Sequence, residues 1–221
     1  MAIIIDERYL DIARKVWGKE SEIFPSFCHT DLQPQVASHT DMTLTKIDDI
    51  FVCCPKSYEH YKNVLGNRVV MGQTKLSSHY PNDIAYNVVV YKNIALGKKT
   101  NADNVVLEEI KKRNIKFIDV SQGYAKCSCC VCENGIITED ESIFKALNEN
   151  GINCLKITQG LVKLKGFNYG FIGGASGFVN GRLTFFGDVT KHPDYLKIKN
   201  FCDFDYLKEI PLTDVGTIFC I

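Results

Sequence analysis

The chain has 221 residues, 45% of them hydrophobic and 24% charged, with 26 basic side chains balancing 26 acidic ones. This composition suits one globular domain over residues 1–221 and excludes a disordered chain, while the neutral balance gives no broad basic field and argues against nucleic acid or an anionic membrane as partner. The longest apolar runs, such as Ala2–Ile5 and Val88–Val90, are strand-sized rather than membrane-spanning, and the early Asp6 and Glu7 do not suit a secretory signal, so a cytoplasmic protein is expected.

Taken in order, residues 6–17 carry Tyr9, Leu10, Ala13, Val16 and Trp17 at helical spacing, with Gly18 as a stop. Residues 57–65 repeat this with Tyr58, Tyr61, Val64 and Leu65 behind the capping candidate Ser57. A third helix is predicted over 103–113, with Asp103 at its start and Lys111, Lys112 and Arg113 at its end, the order the helix dipole favours. A fourth spans 141–150, capped by Asp140 and stopped by Gly151, and a fifth spans 193–201 with Pro193 in its first turn.

Each middle helix is followed by a polar stop, a short apolar strand and a glutamine beside a glycine: Val69-Val70-Met71-Gly72-Gln73, then Phe117 through Gln122-Gly123, then Cys154 through Gln159-Gly160. After the fifth helix, Ile210-Pro211-Leu212-Thr213 is expected to fill that place. Strand pairs are predicted ahead of the helices. Their first strands begin at Asp41–Leu44, Ile84–Asn87, Cys129–Cys132 and Gly177–Asn180; their second strands are Ile50–Cys53, Ile94–Leu96, Ile136–Thr138 and Leu183–Phe186. Asn134-Gly135 and Asn180-Gly181 supply hairpin turns. The repeat is therefore strand–strand–helix–strand, at a period of about 40–50 residues. Asp214–Ile221 starts a fifth unit, and the N-terminal strand and helix can complete it. The expected fold is α/β: a pseudo-five-fold α/β-propeller closed by pairing of the N- and C-terminal segments, with no exposed sheet edge.

Several segments carry a resemblance: His29-Thr30-Asp31 and His39-Thr40-Asp41, Tyr80-Pro81-Asn82-Asp83 with Asn87, Gln122 through Cys127, Gly170 through Gly177, and Gly187-Asp188 leading to His192-Pro193-Asp194. The chain resembles the guanidino-group-modifying-enzyme (pentein) fold shared by arginine and agmatine deiminases, dimethylarginine hydrolases and amidinotransferases. More closely, it looks like a bacterial family of unknown function assigned to that fold. The resemblance implies a central channel lined by the head of each unit, with a cysteine of the last unit attacking the guanidine carbon. Gly216-Thr217-Ile218-Phe219-Cys220 matches the agmatine deiminase spacing at that point. The histidine those enzymes carry at the head of the fourth unit is replaced here by Gly173-Gly174-Ala175-Ser176-Gly177.

The catalytic candidates are accordingly Cys220 and His39; on a strand, His39 and Asp41 would share one face. Asp41, Asp83, Asn87, Cys127, Gly174, Ser176 and Asp214 are the candidate ligand contacts. His29 with Asp31, which repeat the pattern in a loop, are the second choice after His39 and Asp41, while His192 with Asp194 read more readily as pre-helix structure. Ten cysteines in a long, regularly patterned chain read as reduced small hydrophobes, since many sit inside apolar runs. Cys127, Cys129, Cys130 and Cys132 cannot wrap a tetrahedral metal from one strand, so no metal is expected, and no organic cofactor either. The loss of the fourth-unit histidine favours a protein that binds a small polar ligand in its channel without the family's usual catalysis. The alternative is a cysteine-dependent hydrolase or amidinotransferase acting on a guanidine- or amidine-containing small molecule.

Overall fold

A computed structural model describes residues 2–221. In chain order the elements are β1 (Ala2–Ile5), α1 (Leu10–Trp17), β2 (Glu22–Pro25), α2 (Thr40–Thr43), β3 (Leu44–Ile47), β4 (Ile50–Cys53), α3 (Tyr58–Leu65) and β5 (Val69–Met71). Next come β6 (Val89–Tyr91), β7 (Ile94–Gly97), α4 (Asn104–Lys112), β8 (Lys116–Asp119), α5 (Ala125–Ser128), β9 (Cys129–Cys132), β10 (Gly135–Thr138), α6 (Glu141–Glu149) and β11 (Cys154–Lys156). The chain ends with β12 (Ser176–Val179), β13 (Arg182–Phe185), α7 (Tyr195–Phe201), β14 (Asp205–Tyr206) and β15 (Phe219–Cys220). No helix among the described residues is long and apolar enough to cross a membrane.

The strands form five separate three-stranded sheets. In four of them an antiparallel hairpin is followed by a helix and a third strand parallel to the second: β3-β4-β5, β6-β7-β8, β9-β10-β11 and β12-β13-β14. The fifth sheet is assembled from both ends of the chain. β15 pairs antiparallel with β1, Ile3 opposite Cys220, and β1 runs parallel to β2 across α1. Asn180 and Gly181 both have positive φ, 52° and 77°, the conformation a tight two-residue hairpin demands. Asp103 caps α4 through the amides of Val105 (2.9 Å) and Val106 (3.4 Å), and Asp140 caps α6 through Ile143 (2.9 Å).

The packing explains why the middle strands read as unbroken apolar runs rather than as alternating ones. Successive side chains of a strand point to opposite faces, and here both faces are covered. Ile3 and Ile5 enter one apolar cluster while Ile4 enters another. Phe51 and Cys53 part from Val52 in the same way, and Ile136 from Ile137. Each of the five clusters is shared by two consecutive units: β4 with β7 and α4, β7 with β10 and α6, β10 with β13 and α7, β12 with β1 and α1, and β1 with β4 and α3. Fully burying one such side chain is worth about 1.5–3 kcal/mol, so these shared clusters carry the association of the units.

Three expectations change. No single sheet closes on itself: the last unit meets the first through the cluster holding Ile4, Phe219, Leu44 and Phe51, a packed contact in place of strand pairing. The third strand of the fourth sheet is Asp205–Tyr206, because Phe204 and Tyr206 bring aromatic rings to the face of Phe185. Ile210–Thr213 makes only isolated bridges, Pro211 with Asp188 and Thr213 with Lys163. Asp41–Thr43 is helical and Ile84–Val88 is a turn, so His39, Asp41, Asp83 and Asn87 precede their strands instead of lying on them.

Candidate functional site

Five segments leading into β3, β6, β9, β12 and β15 converge. All five, with the 164–169 loop, wall a cavity of about 310 Å3 lined by His39 and Met42, Asp83, Tyr124 and Cys127, Phe171 and Asp214. Its size is at the small end for a ligand pocket.

His39 is buried, and its ring lies between two buried carboxylates: Nδ1 is 3.7 Å from Asp214 Oδ1 and Nε2 3.8 Å from Asp6 Oδ2. Both distances exceed a hydrogen bond. Asp6 is held by the Arg8 guanidinium, whose Nε lies 2.9 and 3.0 Å from its oxygens. Asp214 accepts from the amides of Phe171 (2.9 Å) and Gly216 (3.0 Å). Burial raises the Asp214 pKa, His39 opposes the rise, and Asp41 adds to it.

Asn87 ties three units together. Its Nδ2 donates to the Asp41 carbonyl and to Cys127 Sγ, both at 3.0 Å, and its Oδ1 accepts from the amides of Lys126 (2.8 Å) and Cys127 (3.3 Å). Thr217 adds a link from the fifth unit: its hydroxyl donates to Asp41 Oδ2 at 2.8 Å and receives Lys126 Nζ at 3.1 Å. Thr217 has φ +67°, which a β-branched residue rarely adopts, so this network holds it against its own preference. Asp83 accepts from the Tyr124 hydroxyl at 2.7 Å through Oδ2. The Oδ1 atoms of Asp41 and Asp83, and His39 Nε2, are buried without a hydrogen-bond partner among the described residues.

The thiol at this site is unactivated. Burial pushes the Cys127 pKa well above the ordinary thiol value, and the carboxylates of Asp41 and Asp214 push it further; a nucleophilic cysteine needs the opposite. Glu139 stands behind the cavity, accepting from the Ile172 amide at 3.0 Å, and burial lifts its carboxyl up to about 8. A carboxyl raised in the folded state contributes fully below its unfolded value, and that contribution is lost as pH rises toward 8. Relative to Glu139→Gln, the native protein should lose stability between about pH 5 and 8, at up to about 1.4 kcal/mol per pH unit. Urea melts at several pH values read this directly; a flat difference contradicts the protonated carboxyl.

The remaining sequence candidates fall elsewhere. Gly174 lies against Asp214, and a Cβ there would meet its carboxylate at 2.1 Å. Ser176 donates to the Gly173 carbonyl at 3.1 Å and lines a different cavity, which Cys220 also lines. Cys220 is therefore not brought to the cavity holding His39 and Asp83. His29 and Asp31 line a third pocket, with Asp31 paired to Lys56 at 2.9 Å. His192 Nδ1 receives the Asp194 amide at 3.1 Å, and Asp194 receives the Thr158 amide at 2.7 Å, a structural role. All ten cysteines are free; Cys130 and Cys132 pack in one apolar cluster and Cys129 in another. Among the described residues, no group of three or more His, Cys, Asp or Glu is arranged to hold a metal.

Asp6, Tyr124, Glu139, Phe171 and Thr217 also stand at the site and are not among the candidates expected from the sequence. Tyr124 and Phe171 lay within segments already singled out, between Gln122 and Cys127 and after Gly170, so their aromatic rings were an available signal. Asp6 and Glu139 gave none, since nothing local distinguishes a carboxylate that ends a strand from one that becomes buried.

No curated protein matches the chain in sequence. Among solved structures it is similar to DDAH from Pseudomonas aeruginosa, a cysteine-to-serine mutant complexed with citrulline, at TM-score 0.59 and 8% identity over 94% of this chain and 91% of that one. A histidine-to-glycine dimethylarginine dimethylaminohydrolase, as an adduct with S-methyl-L-thiocitrulline, gives TM-score 0.57 and 10% identity over the same shares. At such identities the likeness carries the fold alone: a mixed α/β arrangement of five small three-stranded sheets like that of the guanidino-modifying hydrolases. In sequence, residues 4–219 match one family, and the chain belongs to it: DUF6873, a family of unknown function.

Proposed function

We propose that the five units form one domain, standing around a common axis as an α/β-propeller, and that the head of the channel binds a small cationic molecule of the guanidinium or amidinium class without turning it over. The observation that carries this is the buried, unpartnered Oδ1 of Asp83 on the wall of a cavity that also presents Asp214 and the rings of Tyr124, Tyr169 and Phe171. A buried carboxylate oxygen without a donor is costly, and a planar cation supplies both the donor and the charge. Aromatic faces around it favour the same ligand. The circle of shared apolar clusters supports the propeller, and ten free thiols fit a reducing cytoplasm.

Calorimetry tests the reading with agmatine and its ureido counterpart, carbamoylputrescine, which keeps the ammonium tail but replaces the guanidinium with a neutral head. Agmatine is expected to bind one to one, with the ureido compound at least about tenfold weaker, and Asp83→Asn is expected to cost about 1.5–3 kcal/mol of that binding. Affinity should rise with pH toward 8 as Glu139 sheds its proton and leaves more negative charge behind the cavity. Equal binding of both compounds contradicts the proposal.

The cysteine-dependent hydrolase is the weaker reading, because the thiol in this cavity is held protonated and Cys220 lines another cavity. Mass spectrometry after brief iodoacetamide treatment separates the two readings. Exposed Cys28 should label first and Cys127 only slowly, with the other buried thiols, whereas rapid selective labelling of Cys220, with ammonia released from agmatine, would favour the hydrolase.

A further inference from the structure

A second cavity, of about 290 Å3, is lined by residues along or beside all five first strands: Lys46 and Asp48, Val88, Val90 and Lys92, Lys126 with Val131, Ser176 through Phe178, and Thr217 through Cys220. Its charge is the reverse of the first. Lys46, Lys92 and Lys126 line it, and Arg68 lies close behind, its guanidinium 5.5 Å over the same Phe51 ring that Lys46 covers at 5.6 Å. None of these four cations makes an ion pair among the described residues, although nine other lysines and arginines do. The single lining carboxylate, Asp48, lies 3.7 Å from Arg113 instead.

Each ammonium has three donors, and these are largely unspent. Lys46 Nζ gives one bond, to the Cys220 carbonyl at 2.7 Å; Lys126 Nζ gives one, to Thr217 at 3.1 Å; Lys92 lies 5.0 Å over the Tyr91 ring. Burial pushes the Lys46 pKa below its ordinary value, and Arg68 adds to the lowering. Converging like charges in a partly enclosed apolar space repel one another unless an anion joins them. Much of the remaining wall is apolar, from Val88, Val90, Val131, Phe178, Ile218 and Phe219, with Ser176 and Thr217 as polar exceptions.

We propose that this cavity binds a small organic anion, a carboxylate or phosphate monoester seated on Lys46 and Lys126 with an apolar body against Val131, Phe178 and Ile218. The apolar walls distinguish this ligand from a bare inorganic ion. The site does not rest on the cationic site at the head of the channel, and neither experiment decides the other.

Calorimetric titrations with benzoate, phenyl phosphate, inorganic phosphate and benzyl alcohol test it. Benzoate or phenyl phosphate should bind one to one, and at least about tenfold more tightly than inorganic phosphate or benzyl alcohol. Preference for benzoate identifies a carboxylate ligand, and preference for phenyl phosphate a phosphate monoester. Lys46→Met and Lys126→Met should each weaken binding by about tenfold or more, Lys46→Arg should retain it, and Lys145→Met, far from the cavity, should leave it unchanged. If a methionine variant does not fold, exposed Lys92→Glu supplies the test, with a similar weakening expected. Absence of binding by either aromatic anion at millimolar concentration, or binding that Lys46→Met and Lys126→Met or Lys92→Glu leave intact, overturns the proposal.

Discussion

Asn87→Ala should cost about 3–5 kcal/mol of folding stability, measured by denaturant titration, because it strips partners from two buried backbone groups and one half-buried one at once. The Asp41 carbonyl and the amides of Lys126 and Cys127 all lose the bond that Asn87 supplies, and the Cys127 thiol loses its donor. The loss falls on three units together, so it is a large share of the ~5–15 kcal/mol typical of a whole domain. Asn87→Asp is isosteric and should not rescue: it removes the donors while adding a charge beside Asp41. A cost below about 1 kcal/mol for Asn87→Ala would show that the units do not depend on this bridge.

Gly174→Ala is expected to cost at least about 3 kcal/mol, toward the upper end of overpacking. Its Cβ would lie 2.1 Å from Asp214 Oδ1 and 2.4 Å from Cγ, where real Cβ atoms do not sit. The carboxylate cannot swing away without giving up the amides of Phe171 and Gly216, and Gly174 is itself fixed, its amide donating to the Cys127 carbonyl at 2.9 Å and its carbonyl accepting from Thr217 at 2.9 Å. Here steric fit alone explains the glycine at position 174. Asp214→Ala alone should destabilise by removing those bonds, yet in the Gly174→Ala background it should restore part of the loss, because it removes the clash. Strict additivity in that double-mutant cycle would contradict the contact.

The architecture was legible because its signals are local. Asp103 and Asp140 announced helix starts, Asn180-Gly181 announced a hairpin, and the same order recurred four times before Asp214 began it again. The join between the chain ends was legible too: Ile3 and Cys220 pair as the incomplete fifth unit required. What failed was nonlocal. Asp205–Tyr206 is a strand only because Phe185 and Tyr195 lie beside Phe204, a fact of tertiary packing that two residues cannot advertise. Ile84–Asn87 has a strand's composition, but Ala85 and Tyr86 are buried as a turn in the shared core, with the Tyr86 hydroxyl donating to the Thr74 carbonyl at 2.8 Å.

The candidate site was legible in part for the same reason. His39, Asp83, Cys127 and Asp214 come together because each heads a unit, which the repeat revealed. Cys220 was chosen on spacing within a motif, and spacing does not say how far along its strand a side chain lies. Four residues beyond Gly216 it reaches the lysine-lined cavity instead. Glu139 acquires its raised pKa from burial, which no short stretch of sequence records.

The central claim is that carboxylates from separate units share one cavity built to take a cation. A crystal structure determined with saturating agmatine tests it most directly. The guanidinium should lie in the cavity walled by Tyr124 and Phe171, donating to Asp83 Oδ1 and facing Asp214. A cavity left empty at saturation, or agmatine bound at another surface with Asp83 Oδ1 still unpartnered, would contradict it.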